Sequence, residues 1–128
     1  RRPEPPPFLS QAVVAKNIIY CSGQVGVNPT TGELVKGSVQ ERTKQILQNL
    51  CAVLEAGGSS LEDLTKVNIF SKDMEDFGAV IEVYLGFFTG PVKPARTCVA
   101  VKTLPTEAYV EIECSAVVRA DGKKVAKL

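Results

Sequence analysis

Histidine is absent from the 128-residue sequence, and its absence removes several classes of chemistry. Hydrolases with a histidine base, zinc sites of the HExxH type and imidazole acid–base catalysis all need this residue. Long apolar runs are also missing, since no run approaches the roughly 18 residues that a membrane-spanning helix requires. Proton transfer in this chain must therefore use carboxylates, lysine, tyrosine, cysteine or water.

The composition is that of a globular protein with a single core. Hydrophobic residues make up 45% of the chain and charged residues 23%, which is unlike either a disordered or a membrane protein. We expect a proline-rich arm at 1–7, one domain at 8–119 and a polar basic tail at 120–128. The sequence does not begin with Met, so a removed organellar presequence is compatible with it, and we expect a cytoplasmic or mitochondrial protein.

Cysteine spacing and charge indicate which bonds and which binding partners the chain can have. The four cysteines are too far apart for CxxC pairs and too few for a disulfide-built scaffold, so we interpret them as reduced thiols. The net charge is +1, but residues 5–118 carry nine basic and twelve acidic side chains, a charge of −3. Nucleic-acid surfaces are usually basic, so we expect neither a nucleic acid nor a membrane as partner.

The first half of the chain predicts a hairpin followed by a helix. Short β-rich runs at 11–15 and 18–22 are separated by two residues, which is typical of a hairpin loop. Ser38 followed three residues later by Glu41 is a capping box, and apolar residues then recur at helical spacing. The helix should end at Ala56, because two glycines follow.

The second half predicts a strand, a helix and two more strands. Residues 64–70 alternate between apolar and polar, and apolar residues at 74, 77, 81, 84 and 88 indicate an amphipathic helix. Residues 96–102 and 109–119 again alternate between apolar and polar, as strands do. The order ββαβαββ predicts an α+β sandwich, with a mixed sheet and both helices on one face.

Alternation along the last two strands predicts which side chains share the uncovered face of the sheet. We place Arg96, Cys98, Glu111 and Glu113 there. The same face is expected to carry Val117 and Ala100, and this mixture is too apolar to be left bare, which favours association with copies of the same chain. An arginine in the resulting cleft could bind a carboxylate, and a glutamate could deprotonate water. The alternative is that Arg96 only pairs with one of the two glutamates across the sheet.

Seven short motifs in a fixed order resemble those of one known family. They are SGQV at 22–25, NPTTGEL at 28–34, QILQNL at 45–50, KVNIF at 66–70, PARTCVAV at 94–101, LP at 104–105 and EIE at 111–113. Together they resemble the RidA family, also called YjgF/YER057c/UK114 or endoribonuclease L-PSP, over about residues 8–118. The resemblance implies a chorismate-mutase-like fold and a homotrimer with clefts between subunits. It also implies hydrolysis of reactive 2-imino acids, or their enamine tautomers, to 2-keto acids and ammonia without cofactor or metal.

The resemblance assigns roles to individual residues. Arg96 would clamp the substrate carboxylate, and Glu111, rather than Glu113, would orient or activate the attacking water. The backbone at Gly23 and Cys98 would hold the nitrogen or flanking atoms. The other implied substrate-binding positions are Ser22, Phe8, Leu9, Ile81 and Tyr84.

Two departures from the family pattern affect this site. The family's tyrosine near the N-terminus is replaced by Leu9, or by Phe8 if the chain shifts by one residue, and an asparagine after Val80 is replaced by Ile81. Both changes make the pocket less polar and predict a preference for imino acids with bulkier apolar side chains. Ile81 also fits core packing.

Alternatives from other functional classes stay open. One is a trimer that binds a keto acid without turnover, and another is an endoribonuclease or translation inhibitor, an activity attributed to some relatives. Cys98 likewise has two interpretations, a reactive thiol with a pKa lowered by Arg96 or the commoner small buried hydrophobic residue.

Overall fold

The structure, a computed structural model, describes residues 2–119. Its regular elements are β1 (Ala12–Ala15), β2 (Ile18–Gln24), α1 (Val39–Ala56), β3 (Leu64–Ser71), α2 (Phe77–Phe87), β4 (Ala95–Ala100) and β5 (Val110–Val117). The predicted order ββαβαββ is confirmed. Arg1 and the predicted basic tail at 120–128 lie outside the described residues. Within 2–119 no helix combines the length and apolarity needed to cross a bilayer.

The five strands form one mixed sheet in the order β1-β2-β5-β3-β4. β3 and β4 are parallel neighbours joined through α2, whereas the other neighbouring pairs are antiparallel. The last strand of the chain, β5, therefore lies at the centre of the sheet. α1 packs on β2 and β5, and the two helices pack on each other, which confirms the two-layer α+β arrangement.

The capping box at the start of α1 is formed as predicted. The Glu41 N–H donates to Ser38 Oγ at 3.1 Å, and the Ser38 N–H donates to the Glu41 carboxylate at 3.4 Å. The helix ends at Ala56. Its apolar stripe is buried against alternate residues of β2, β3 and β5, and each fully buried large side chain contributes about 1.5–3 kcal/mol. The core includes Ile46, Leu50, Leu54, Ile19, Val67, Ile69 and Ile112.

The start of the second predicted helix was wrong. Residues 74–76 form a separate 3₁₀ turn, because the Asp73 carboxylate accepts a hydrogen bond from the Glu75 N–H at 2.9 Å and begins a turn there. Met74 is consequently 43% exposed and lies outside the core. In α2 itself, Val80 and Tyr84 are buried.

Candidate functional site

Arg96 lies on the helix-covered side of the sheet. It is paired with Val67 of β3, a fully buried residue, and directly paired residues project to the same face. Its guanidinium carbon lies 5.2 Å from the centre of the Phe77 ring and 5.9 Å from that of Tyr84. These are cation–π contacts, which orient the guanidinium at the edge of the sheet next to α2.

Glu111 and Glu113 lie on the opposite, uncovered face. Glu111 is paired with Phe70 and Glu113 with Asn68, whereas Cys98, like Arg96, is paired with a buried β3 residue. The prediction that all four site residues share one face was therefore wrong. The alternative of a cross-sheet ion pair is wrong as well, since Arg96 makes none with either glutamate in the described part of the chain.

The reason for the error is the position of β4 at the edge of the sheet. Both of its faces are largely exposed, so its alternation separates two sets of side chains without indicating which set faces the helices. Thr97 and Val99 resemble a core-facing set in the sequence. Only the pairing with β3 shows that they project to the uncovered face.

Gly23 and Glu111 are brought together beside an irregularity in the pairing of β2 with β5. The register shifts between Cys21 and Gln24, which places Gly23 directly against the glutamate. A Cβ atom at residue 23 would lie 2.7 Å from both Cδ and Oε1 of Glu111. The Glu111 carboxylate therefore packs on the bare backbone of Gly23, and this pair forms the glutamate half-site.

The structure distinguishes the two glutamates. Asn68 Nδ2 donates to Glu113 Oε1 at 3.1 Å, whereas no side chain or backbone group within 2–119 donates to the Glu111 carboxylate. Burial raises the pKa of Glu111, and the nearby charge of Glu113 raises it further. Glu111 is thus the carboxylate whose oxygens are available to a substrate or water.

Arg96 forms the arginine half-site with Phe77 and Tyr84 on the other side of the sheet. Tyr84 is buried with its ring centre 4.2 Å from that of Phe88, and Ile81 is half-buried against the core. Burial raises the pKa of Tyr84, although Arg96 opposes the rise. Sequence reasoning treated Phe77 only as a core residue and missed its contact with the guanidinium.

Cys98 is a half-buried thiol that packs against the core. Burial raises its pKa, and the opposing effect of Arg96 is smaller. The interpretation as a small hydrophobic residue is therefore favoured over a reactive thiolate.

The remaining predicted site residues lie in or beside the N-terminal arm. Phe8 and Leu9 are 83% and 40% exposed, and their contact with substrate stays a prediction. Ser22 Oγ donates to the Ser10 carbonyl at 2.7 Å, so the Ser22 hydroxyl holds the segment 8–10, which follows the predicted arm, beside the glutamate half-site.

The uncovered face also carries exposed apolar side chains. Val13, Tyr20 and Val99 are 56%, 54% and 42% exposed. They lie on the same face as Glu111, since Val13 pairs with Tyr20, Tyr20 with Ser115, and Val99 with Phe70. Exposed apolar side chains grouped on one face are typical of surfaces that another protein chain covers.

The two half-sites of one chain are too far apart to act on the same small substrate. Arg96 and Glu111 are separated by two strand spacings and three residues along the strands, about 10 Å in each direction, and they project from opposite faces. A substrate of a few carbon atoms cannot contact both side chains of the same chain.

Comparison with known proteins identifies the family. The profile of the endoribonuclease L-PSP family matches residues 1–118. The chain belongs to this family, the RidA family. A mouse relative named 2-iminobutanoate/2-iminopropanoate deaminase is 45% identical over 84% of this chain and 79% of its own length.

Other RidA-family relatives agree with this assignment. The mitochondrial protein mmf1 of Schizosaccharomyces pombe is 49% identical over 84% of this chain and 66% of its own length. The crystal structure of RidA from an Antarctic Psychrobacter superposes with a TM-score of 0.86 at 38% identity, covering 91% of this chain and 94% of that one. The family match and the structural superposition thus each cover nearly the whole described chain.

Proposed function

We propose that this RidA-family protein hydrolyses 2-imino acids to 2-keto acids and ammonia in clefts between subunits of a homotrimer. The observation that carries the proposal is the Glu111 carboxylate, which packs on Gly23, accepts no hydrogen bond from residues 2–119 and has a raised pKa. The deaminase names of the mouse and other relatives support the reaction class.

In the proposed mechanism, Arg96 binds the substrate carboxylate through its planar guanidinium. Glu111 accepts a proton from water as the water oxygen attacks C2 of the imine. The nitrogen takes up this proton, and the proton of the new hydroxyl group on C2 then passes through Glu111 to the nitrogen as the carbon–nitrogen bond breaks. Ammonia and the 2-keto acid leave. These steps use only substrate, water and the chain's own side chains.

The separation of the half-sites supports the proposed oligomer. Because Arg96 and Glu111 project from opposite faces, one substrate can contact both only if they come from different copies. An interface that joins two different surfaces closes into a ring when the rotation permits, and a ring of three has three such clefts. Exposed Val13, Tyr20 and Val99 would be buried in this association. A mitochondrial or cytosolic location is part of the proposal, and the mitochondrial name of mmf1 supports the former.

The direct test generates 2-iminobutyrate, and separately a bulkier imino acid, in the presence of the purified protein. We expect faster loss of the imine, with keto acid and ammonia appearing in equal amounts, and a greater acceleration for the bulkier substrate because Leu9 and Ile81 replace polar family residues. Saturable keto-acid binding without acceleration would support a sensor instead. Salt-dependent RNA cleavage would support endoribonuclease activity, from which the family takes its other name. The charge of −3 over residues 5–118 disfavours that activity.

Gly23→Ala tests the glutamate half-site. The new methyl group would occupy space within 2.7 Å of the Glu111 carboxyl group and displace it, so we expect kcat/KM for imine hydrolysis to fall about 100-fold. Gly86→Ala in α2 is the matched control, because a Cβ there meets no atom within 4 Å. Equal activities of the two variants would exclude a role for the Gly23–Glu111 contact.

Glu113→Gln tests the electrostatics of Glu111. The substitution removes a negative charge that raises the pKa of Glu111 and keeps an acceptor for Asn68. Because the base must be ionised, activity falls as the pH drops through its pKa, and the variant should move this acid limb of the kcat/KM profile to lower pH. Glu82→Gln on α2 is the control. If the acid limb stays at the same pH or moves to higher pH, the assignment of Glu111 as the base is contradicted.

A further inference from the structure

Two cysteines that the proposed hydrolysis does not use face each other across neighbouring strands. Cys21 of β2 and Cys114 of β5 are direct partners in the antiparallel ladder, and both are free thiols. Residues opposed in this way have Cα atoms about 4.5 or 5.5 Å apart, and both values fall in the range that a disulfide bond spans, about 4.4–6.8 Å. The expected Cα separation of the pair is therefore one that a disulfide bond can span.

The two thiols already interact. The side-chain interaction with Cys114 lowers the pKa of Cys21 against the effect of burial, while the same interaction and burial raise the pKa of Cys114. Cys21 is thus the first of the pair to form the nucleophilic thiolate, and Cys114 is the second thiol.

The other cysteines do not compete for this position. Cys98 pairs with Ile69, which in turn pairs with Ile112 of β5, so Cys98 lies two strands away from Cys114. Two strand spacings are about 10 Å, beyond the reach of a disulfide bond. Cys51 lies in α1, where its thiol is hydrogen-bonded to the Glu55 carboxylate at 3.5 Å.

We propose that Cys21 and Cys114 form a redox-active dithiol, which a small organic disulfide converts into one intrachain disulfide bond between β2 and β5. The Cys21 thiolate attacks one sulfur of the small disulfide, whose S–S bond breaks and releases one thiolate. Cys114 loses its proton to that thiolate and attacks Cys21 Sγ in the mixed disulfide, which releases the second small thiol. Two electrons pass to the oxidant, and the protein loses two hydrogen atoms.

The proposed disulfide bond lies next to the glutamate half-site. The Cys21–Cys114 pair is the last regular pair before the register shift that places Gly23 against Glu111. A covalent bond at that point would fasten the two strands on which Gly23 and Glu111 lie.

The test exposes the full-length protein to oxidised glutathione in two ways, as the native protein and during refolding from urea with a glutathione redox buffer. We expect a mass loss of two hydrogen atoms and a single cross-linked peptide joining Cys21 to Cys114. The urea midpoint should shift upward and return on reduction, because the bond closes a loop of about 90 residues in the unfolded chain.

Cys21→Ser and Cys114→Ser should each abolish the mass loss and the shift, whereas Cys51→Ser should preserve both. Refolding gives the oxidant access to both thiols, so their burial cannot account for a negative result. A refolded wild-type protein with four unmodified thiols, or a cross-link that involves Cys51 or Cys98, would overturn the proposal. Imine hydrolysis is not part of this readout, so the outcome is independent of the proposed function.

Discussion

Arg96→Ala should reduce kcat/KM for imine hydrolysis by about 100-fold or more. A planar clamp on a carboxylate makes two charge-assisted hydrogen bonds, each contributing about 1.5–3 kcal/mol, and about 3 kcal/mol corresponds to this factor. Arg96→Lys should recover part of the loss, because lysine restores the charge without the two-pronged geometry. The measurement is steady-state imine loss at several substrate concentrations.

Lys102→Ala serves as the charge-matched control. Lys102 is exposed and follows β4, so its removal changes the net charge by the same amount without touching the arginine half-site. Circular dichroism and the oligomeric mass should be recorded for both variants, since Arg96 also covers the rings of Phe77 and Tyr84. A folded, fully active Arg96→Ala protein would remove the carboxylate clamp from the mechanism.

Two inactive variants should restore activity when they are combined. Glu111→Gln removes the proposed base, which should cost about 10²–10⁴ in rate. If Arg96 and Glu111 of one cleft come from different copies, trimers that mix Arg96→Ala and Glu111→Gln chains contain some clefts with both native residues. Every mixed trimer has such a native cleft at about one position in three, so about a third of wild-type activity should return once unmixed trimers are removed.

The experiment co-expresses the two variants with different affinity tags and purifies mixed oligomers on both tags in turn. Chains carrying both substitutions, mixed with Arg96→Ala chains, provide the control, because no arrangement of those chains assembles a native cleft. Mixed oligomers with no more activity than the separate variants would show that each chain holds its own complete site, or that the residues do not act together.

Local chemistry made much of the fold predictable from the sequence. The capping box of Ser38 and Glu41 and the alternation of β5 depend on residues close in the chain, and both are formed as expected. The start of α2 was less predictable, since the turn capped by Asp73 interrupts an apolar spacing that continues through it.

The candidate site was only partly predictable, because its geometry depends on contacts between distant strands. The motifs indicate Arg96 and Glu111 as residues, but the face of β4 is set by its pairing with β3, and the contact of Gly23 with Glu111 is set by the register shift in β2. Neither pairing is visible in the sequence pattern of a single strand. The contact of Phe77 with the guanidinium was missed for the same reason.

The placement of Arg96 and Glu111 on opposite faces ties the proposed activity to the amount of protein present. Under the proposed mechanism, a separated chain carries both residues but no complete cleft, so each dissociation event removes working sites from the population. Specific activity then follows the law of mass action and declines on dilution below the dissociation constant of the oligomer. In a cell, the rate of imine removal would rise more steeply than in proportion to the quantity of this protein synthesised.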